Sequence, residues 1–261
     1  LSRAVTDQSH SSVLAYGAGR SYGDAALNAG GLSIDTSRLD RMLELDAASG
    51  TLVAECGVTF GDLVRTLVPH GFMPPVVPGT GFATLGGGIA NDVHGKNHHR
   101  HGSLAQHIEW IDLRMADGRL QRVSPESDDS LFRATVGGIG LTGLVERAAL
   151  KLQRVPSNAV RVRARRVGNL DEHLSALVDE QARGEYVVGW IDALARGRSF
   201  GRGILESANP SPDGVDAKPR AARSVPFEFP SLALQPVTVR LFNQLYFHRI
   251  PKRGTDTLMH Y

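Results

Sequence analysis

The sequence predicts an α+β protein made of two units. In the first half, short strand patterns alternate with short helix patterns, and two pairs of strands are joined by tight turns. After Val155 the pattern changes to a strand with one polar face, then a long helix and another strand. We therefore expect a first domain over residues 1–155 and a second α+β unit over residues 156–261.

The strands of the first half are predicted from short apolar runs beside turn residues. One strand is predicted at 31–35, which reads GLSID. The turn AASG separates MLELD from TLVAEC, and ADG separates HIEWIDLRM from RLQRV, so each pair predicts a β-hairpin. A last strand, GLVERAALKL, ends this half.

Two helices are predicted in the first half. The first begins after the N-cap Thr59 and ends at Gly71, because its apolar residues share one helical face. Those residues are Phe60, Leu63, Val64 and Leu67. The second lies in SDDSLFRATVGG, where Ser127 opens the helix and the carboxylates of Asp128 and Asp129 occupy its positive end.

The second half is predicted from four patterns. VRVRARRV is typical of a strand with one polar face, LDEHLSALVDEQAR of a helix that ends at Gly184, and EYVVGWID of another strand. The stretch 209–226 combines several prolines with little apolar content, and we expect a mobile loop there. A last helix begins at Pro236. Its apolar residues at helical spacing are Val239, Phe242, Leu245 and Tyr246.

Composition excludes several classes of function. The chain has 261 residues with 29 basic and 27 acidic side chains, a balance that argues against a nucleic-acid partner. No apolar run is long enough to span a membrane, and no signal-peptide pattern opens the chain. Cys56 is the single cysteine, which excludes an internal disulfide framework and a cysteine-based zinc cage. The chain starts at Leu1 and stops after TDTLMHY, so we expect both ends to be cut.

A glycine-rich turn follows the first apolar run, in the letters YGAGRSYGD. Gly17, Gly19 and Gly23 let backbone N–H groups turn inward together, and Arg20 adds a positive charge among them. This arrangement fits a cradle for a phosphate or pyrophosphate, and it equally fits a plain tight turn. It is neither a dinucleotide fingerprint nor a Walker motif, because no helix of normal length follows and no lysine stands at the required place.

Two further glycine-rich segments favour the cradle. Residues 75–104 form a long stretch rich in glycine and histidine, and residues 134–145 read ATVGGIGLTGLV. Long loops in compact domains are usually functional. Three such segments in one domain indicate an extended ligand, with a pyrophosphate at one place and a planar ring at another.

The histidines of the second segment raise the hypothesis of a metal site. His94 and His98 would share a face if the segment were helical. Gly95 argues against that helix, and the charge of Lys96 would repel a divalent cation. We therefore expect no metal site. For His99, His101 and His107 we expect ordinary loop polarity.

These segments carry a resemblance to a known family. The strings GRSYGD with ALN, PGT with GGGIANDVHGKNHH, and ATVGGIGLTG resemble those of flavoproteins with a vanillyl-alcohol-oxidase-type, or PCMH-type, FAD-binding domain. Among them, the chain resembles the decaprenylphosphoryl-ribose oxidase family, the oxidising half of a 2'-epimerase. The string HGKNHH is the specific one. The similarity covers most of residues 11–192.

The resemblance implies a fold and a set of cofactor contacts. It implies a two-lobed PCMH-type FAD-binding domain at 1–155 that lacks its first strand, followed by part of an antiparallel-sheet substrate domain. The pyrophosphate would lie on the loops at 17–23 and 79–88. The residues expected at FAD are Gly17, Gly19, Arg20, Ser21, Tyr22, Gly23, Asn28, Gly79, Thr80, Thr84, Gly86, Gly87, Asn91, Gly95, Asn97, His98 and Val145. Related sugar-alcohol oxidases have a flavin-linked histidine where this chain has Arg20, so we expect noncovalent FAD.

The resemblance also implies a reaction. The family oxidises the ribose C2 hydroxyl of decaprenylphosphoryl-ribose, with hydride transfer to flavin N5, giving a 2-keto intermediate on the route to decaprenylphosphoryl-arabinose, a cell-wall arabinan precursor. His94 and Lys96 would face the substrate, and Tyr22 would either position it or pack on the flavin edge. The implied partners are a polyprenyl-phosphoryl sugar, a quinone-type electron acceptor and a keto-reductase.

Two other functions stay open at this point. The chain could be an FAD-dependent alditol or aldonolactone oxidase, against which Arg20 argues, or a flavin-binding module without catalysis. With no export signal in the sequence, we expect a cytoplasmic protein, peripheral at the membrane where its lipid-linked substrate would reside.

Overall fold

The structure is a computed structural model that describes residues 2–7, 9–216 and 234–261. Its backbone contacts divide the chain into two compact units, Leu1–Val155 and Pro156–Tyr261. The predicted α+β class is confirmed, because both units combine helices with antiparallel sheets. No helix in the described residues is long and apolar enough to cross a bilayer.

The first unit begins with a small parallel pair. After the short helix α1 (Ser2–Val5), strand β1 (Val13–Tyr16) pairs in parallel with β2 (Leu32–Asp35). No helix connects them, as the sequence predicted. Instead, the side chain of Asn28 ties the connection together: its Oδ1 accepts from Ser12 Oγ at 2.7 Å and its Nδ2 donates to the carbonyl of Leu32 at 3.0 Å.

A five-stranded antiparallel sheet forms the centre of the first unit. Its strands are β3 (Met42–Asp46), β4 (Thr51–Glu55), β6 (Ile108–Arg114), β7 (Leu120–Val123) and β8 (Leu144–Lys151), in the order β3-β4-β8-β6-β7. A separate antiparallel pair joins β5 (Phe72–Met73) to β9 (Gln153–Arg154). Both predicted hairpins are confirmed, because β3 pairs with β4 and β6 pairs with β7.

Four short helices of the first unit lie between these strands. They are α2 (Phe60–Leu67), α3 (Leu85–Ala90), α4 (His98–His101) and α5 (Asp129–Thr135). The core between sheet and helices is apolar, and Phe60, Leu63, Leu85 and Ile111 within it are fully buried. Burial of these side chains fixes the faces of α2 and α3 that point inward.

The predicted helix ends are partly confirmed. Thr59 caps α2 by accepting from the amide of Asp62 at 3.1 Å, and a 3₁₀ turn carries the chain on to Gly71, which has a φ of 78°. The predicted start of α5 at Ser127 is wrong by one residue. Asp128 is the N-cap, because its carboxylate accepts from the amide of Leu131 at 3.2 Å.

The second unit is a four-stranded antiparallel sheet with two helices. Its strands are β10 (Ala159–Val167), β11 (Tyr186–Ile191), β12 (Gly203–Ser211) and β13 (Thr255–His260), in the order β11-β12-β10-β13. Its helices are α6 (Leu170–Arg183) and α7 (Pro236–His248). The predicted loop at 209–226 is wrong at its start, because Asn209 to Ser211 continue β12 against β10; residues 217–226 lie outside the described residues.

One face of the five-stranded sheet carries a row of alternating charges, which we call the charge ladder: Arg41, Glu55, Arg147, Asp112 and Arg122. Asp112 is 3% exposed and accepts from Arg122 Nε at 2.8 Å and from Arg147 Nε. Glu55 is 6% exposed and accepts from Arg41 Nη2 at 2.6 Å. Glu55 and Asp112 both face Arg147 across their strand pairs. The ladder therefore links four strands of the sheet and the residue preceding β3.

The charge ladder predicts a loss of stability in acid. Hydrogen bonds from Arg41 lower the pKa of Glu55. Burial raises the pKa of Asp112, but hydrogen bonds from Arg122 and Arg147 outweigh burial, so the pKa of Asp112 is lowered as well. A carboxylate with a lowered folded pKa stabilises the fold above its unfolded pKa, and that contribution is lost as the pH falls through the folded value. We expect the contribution of the ladder to the free energy of unfolding to be constant from pH 7 to pH 5 and to fall below pH about 4. Urea unfolding across this range checks it, and unchanged stability at pH 3 would contradict it.

Candidate ligand-binding site

A cavity of about 470 Å³ opens in the first unit, where all three glycine-rich segments of the sequence meet. The end of β1 and the turn after it form one wall, and residues 78–93 form another. A third wall comes from residues 139–145. A cavity of this volume is in the usual range for small-molecule and cofactor sites.

The first wall approaches the cavity with bare main chain. A side chain at Gly17 would place its Cβ 2.6 Å from Oγ1 of Thr84, and one at Gly19 would place it 2.2 Å from the hydroxyl of Tyr16. Gly19 also has a φ of 60°, which disfavours other residues. Glycine at 17 therefore lets the turn lie against Thr84 of the second wall, and glycine at 19 permits the left-handed backbone beside Tyr16.

The second wall includes three consecutive glycines inside α3. A Cβ on Gly86 would lie 2.8 Å from Cβ of Cys56, and one on Gly88 would lie 2.6 Å from the ring of Phe60. Gly87, between them, lines the cavity and donates its amide to Oγ1 of Thr84 at 3.1 Å. Two glycines thus let α3 pack closely on the core while the third keeps the cavity side open.

The third wall holds a residue in an unusual backbone conformation. Ile139 lines the cavity with a φ of 52°, in the left-handed region that β-branched residues rarely adopt. Its amide donates to the carbonyl of Ala90 at 2.9 Å, and the amide of Gly137 donates to the carbonyl of Ile89 at 2.9 Å. These two bonds tie the third wall to the end of α3 and hold the strained conformation.

The electrostatics of the cavity suit an anionic ligand with an apolar part. Arg20 is the single charged residue among the described residues that line it, and no aspartate or glutamate is present in that lining. The guanidinium of Arg20 lies 5.1 Å from the ring centroid of Phe82. Exposed main chain and one cation can bind a phosphate or diphosphate, while alanines and valines of the lining can cover a planar ring.

Most of the predicted cofactor residues line this cavity. They are Gly17, Gly19, Arg20, Ser21, Tyr22, Gly79, Thr80, Thr84, Gly86, Gly87, Asn91 and Val145. The remaining predicted residues lie outside the lining. They are Gly23, Asn28, Gly95, Asn97 and His98, together with the predicted catalytic residues His94 and Lys96.

The residues outside the lining hold the adjoining segments in place. The buried side-chain amide of Asn97 donates to the carbonyl of Pro75 at 2.7 Å, and its Oδ1 accepts no hydrogen bond from the residues that the structure describes. His94 pairs with Ser103 in an isolated β-bridge, and its ring lies 5.5 Å from the ring of His98. Lys96 is exposed beside Asn97. The segment that carries His94 and Lys96 is thus tied at two points.

The histidines of this segment do not share one helix. His98 begins α4, whereas His94 lies before it in the bridge to Ser103. In the described part of the chain, no group of three histidine, cysteine or acidic side chains is arranged to hold a metal ion. The ring of His107 lies within hydrogen-bond distance of the carbonyl of His101, and burial lowers its pKa, which favours the neutral form.

Sequence reasoning missed several lining residues. Thr36 and Cys56 follow strands β2 and β4, and no glycine motif marks them. Ile139, Gly140 and Gly143 lie within the third glycine segment, which the sequence singled out but from which only Val145 was named. The sequence shows the glycine-rich motif, but it does not show which residues of the motif face the cavity.

Cys56 is expected to be chemically inert. The residue is 2% exposed, and burial raises the pKa of its thiol from an ordinary value of 9.0 to about 12. The thiolate fraction near pH 8 is therefore about a thousandfold lower than in the unfolded chain. We expect iodoacetamide to leave the folded protein unlabelled and to label it rapidly in guanidinium chloride. Labelling at equal rates in both states would contradict the burial.

The chain matches a family of known proteins and several individual proteins. Residues 3–124 match the family described as FAD binding domain. The chain is 36% identical to decaprenylphosphoryl-beta-D-ribose oxidase of Mycolicibacterium smegmatis over 87% of this chain and 50% of that protein. It is 34% identical to an uncharacterized protein of Streptomyces coelicolor, over 77% and 59% of the two chains. It is 28% identical to a Delta(24)-sterol reductase homolog of Caenorhabditis elegans, over 70% and 36%.

These matches confirm the resemblance drawn from the motifs. The chain spans about half the length of the oxidase that it matches. The matched family covers β1 to β7, and therefore two of the three walls of the cavity.

Proposed function

Because residues 3–124 of this chain belong to the FAD binding domain family, we propose that the cavity of the first unit holds FAD and that the protein is an FAD-dependent oxidoreductase acting on CH–OH groups. One observation supports this most directly. Three glycine segments line the cavity with main chain, and among the described lining residues Arg20 is the single charge.

The residues present fit FAD. A Cβ at Gly79 would meet no atom within 4 Å, so the absence of a side chain there leaves room for a ligand. Gly17 and Gly19 would hold the diphosphate through their amides, with Arg20 as the counter-charge, and Gly87 would leave room for it. Val145 and the alanines of the cavity lining would cover the ring system of the flavin. When bound, FAD supplies a two-electron acceptor for a hydride that leaves a substrate carbon.

We propose that FAD is bound without a covalent link. Enzymes that tether flavin need a reactive nucleophile in the cavity, and the described lining contains no histidine. Its cysteine, Cys56, has a raised pKa and is therefore a poor nucleophile. Arg20 stands where related sugar-alcohol oxidases have their flavin-linked histidine, and a guanidinium cannot form such a bond.

The proposed substrate is a polyprenyl-phosphoryl ribose, oxidised at the C2 hydroxyl to a 2-keto sugar. The name of the relative from Mycolicibacterium smegmatis supports this choice. Lys96 would bind the sugar phosphate through its ammonium, since it is exposed and no carboxylate among the described residues pairs with it. Tyr22, which is 99% exposed on the cavity lining, and His94 would position the hydroxyl by hydrogen bonds, and the imidazole of His94 would accept the proton that leaves it.

Partners and location follow from this chemistry as proposals. A reduced flavin has to be reoxidised, for which we propose a quinone-type acceptor. A keto-reductase would complete conversion to the arabinosyl lipid, an arabinan precursor for the cell wall. We propose a cytoplasmic protein that meets its lipid-linked substrate at the membrane surface.

Anaerobic reduction of the flavin tests this function. The protein loaded with FAD is mixed with decaprenylphosphoryl-ribose, with the arabinosyl lipid or with a free alditol, and absorbance of oxidised flavin is followed. We expect bleaching by the ribosyl lipid, slower bleaching by the arabinosyl lipid and none by the alditol. Bleaching by the alditol would favour an alditol oxidase, and no bleaching by any of them would favour a binding module.

Lys96→Gln and Lys151→Gln form a matched pair for the same assay. Lys151 is also an exposed lysine, but it lies on β8 beside Glu109. We expect Lys96→Gln to raise the concentration of ribosyl lipid needed for half-maximal bleaching about tenfold, because a charge-assisted contact is lost. Lys151→Gln should leave it unchanged. Equal behaviour of the two variants would argue against a role for Lys96.

A further inference from the structure

Helix α7 of the second unit presents an apolar face to the outside. Val237, Leu241, Phe242 and Leu245 are 73%, 61%, 59% and 65% exposed. Their spacing of three and four residues places them on one side of the helix, over a length of about 12 Å. The helix was predicted from the spacing of Phe242 and Leu245, and the structure places both on this exposed side.

The opposite side of α7 is fixed on the sheet of the second unit. The buried Asn243 donates to Asp192 at 2.7 Å, and the ring of Tyr246 lies 4.8 Å from that of Trp190. Phe247 packs on the same cluster as Trp190. Because these contacts set the rotation of α7, the apolar face cannot turn inward without breaking them.

The charged residues of the chain segment that carries this face are all basic. Residues 234–253 contain Arg240, Arg249, Lys252 and Arg253 and have no aspartate or glutamate. Arg249 pairs with Glu206 at 3.1 Å. Within the described residues no carboxylate pairs with the other three, which are exposed. Arg240 lies on α7 three residues after Val237, and Lys252 and Arg253 follow the end of the helix. An exposed apolar stripe on a segment that carries unpaired cations matches the surface of an anionic bilayer, whose acyl chains accept the stripe and whose headgroup phosphates accept the cations.

Helix α6 of the same unit provides an internal contrast. It also exposes apolar side chains, with Leu174 at 54% and Val178 at 67%. Its exposed surface is acidic, since LDEHLSALVDEQAR holds four carboxylates and a single arginine. An anionic bilayer would repel α6 because of these carboxylates. Both helices expose apolar side chains, so it is the sign of the charge that distinguishes α7 from α6.

We propose that the outer face of α7, together with Arg240 on the helix and Lys252 and Arg253 after its end, docks the protein on an anionic lipid bilayer. This surface deepens the proposed function, because a polyprenyl-phosphoryl sugar resides in the bilayer, and its relevance to substrate delivery rests on that function. Vesicle binding itself needs neither flavin nor substrate, so failure of the docking surface and failure of the oxidase reaction are separate results.

Sedimentation with vesicles tests the docking surface. The full chain is mixed with vesicles of phosphatidylcholine alone or of equal parts phosphatidylcholine and phosphatidylglycerol. We expect binding to the anionic vesicles that weakens as salt is added, and little binding to phosphatidylcholine. Leu241→Glu should reduce the partition coefficient at least about tenfold. Leu174→Glu on α6 is the matched control and should leave the partition coefficient unchanged to within about twofold.

A second variant guards against an effect on folding. Lys252→Glu with Arg253→Glu lies beyond the end of α7 and should also reduce binding at least about fivefold, with an unchanged thermal transition. Equal binding to both vesicle types would overturn the proposal, as would an equal loss in Leu174→Glu. Size-exclusion chromatography covers the remaining alternative: a dimer that Leu241→Glu separates into monomers would assign the face to a second copy of the chain.

Discussion

Gly79→Val is expected to weaken FAD binding by about a hundredfold, which corresponds to about 2.7 kcal/mol. Gly79 lines the cavity, and a Cβ there would meet no protein atom within 4 Å. A valine is therefore compatible with the folded chain, but its side chain occupies space that the proposed ligand needs. Quenching of FAD fluorescence on titration with protein measures the dissociation constant.

Gly168→Val is the matched control for this substitution. Gly168 is also exposed, and an added Cβ would lie 3.1 Å from Oε2 of Glu172, the end of a flexible side chain. It belongs to the second unit and does not line the cavity. We expect FAD affinity equal to that of the unmodified chain. Equal affinities for both variants would show that FAD does not occupy the cavity next to Gly79.

Asp112→Ala is expected to destabilise the first unit by about 2–4 kcal/mol. The carboxylate of Asp112 is the buried acceptor for two arginines of the charge ladder, Arg122 and Arg147. Its removal takes away these charge-assisted bonds and leaves two guanidinium groups facing each other across β8, β6 and β7. Urea unfolding at pH 7, followed by circular dichroism, measures the difference.

Asp117→Ala serves as the control for the charge ladder. Asp117 also pairs with an arginine, Arg119, but the pair is exposed in the turn between β6 and β7. Exposed pairs contribute little because water screens them, so we expect almost no change in the urea midpoint. As the pH falls below about 4, Asp112→Ala should also lose less stability than the unmodified chain, because one of the titrating carboxylates is absent. A midpoint shift no larger than that of Asp117→Ala would contradict the importance of the ladder.

The elements that could be predicted are those whose local pattern and tertiary contacts agree. Helix α2 is an example, because the cap at Thr59, the apolar spacing and the stop at Gly71 all appear in the sequence. Helix α3 could not be predicted from LGGGIA, since glycine disfavours helices. It forms because Gly86 and Gly88 pack where Cβ atoms would collide with Cys56 and Phe60, and this contact is long-range.

Strand β13 could not be predicted either, because it also depends on a long-range contact. TDTLMH has a weak strand pattern, and sequence reasoning left the chain end without an element. The segment becomes a strand because the free edge of β10 pairs with it over six residues, and Asp256 reaches Arg161 and Arg163. A partner strand nearly a hundred residues earlier in the chain leaves no signal in a local window.

The candidate site was predicted where a motif marks the main chain. Gly17, Gly87 and Arg20 belong to such motifs and line the cavity. Cys56 and Thr36 line it because β4 and β2 end there, which depends on strand order. Roles that depend on side-chain direction, such as those of His94 and Lys96, stay predictions.

Equilibrium titration of the chain with FAD, followed by denaturation, tests the central claim most directly. We predict one FAD per chain, bound with loss of flavin fluorescence, and complete release of flavin into the supernatant when the protein is precipitated with acid. No saturable binding, or binding that Gly79→Val leaves unchanged, would contradict the claim that the glycine-lined cavity holds FAD. Flavin that stays with the precipitate would contradict noncovalent binding beside Arg20.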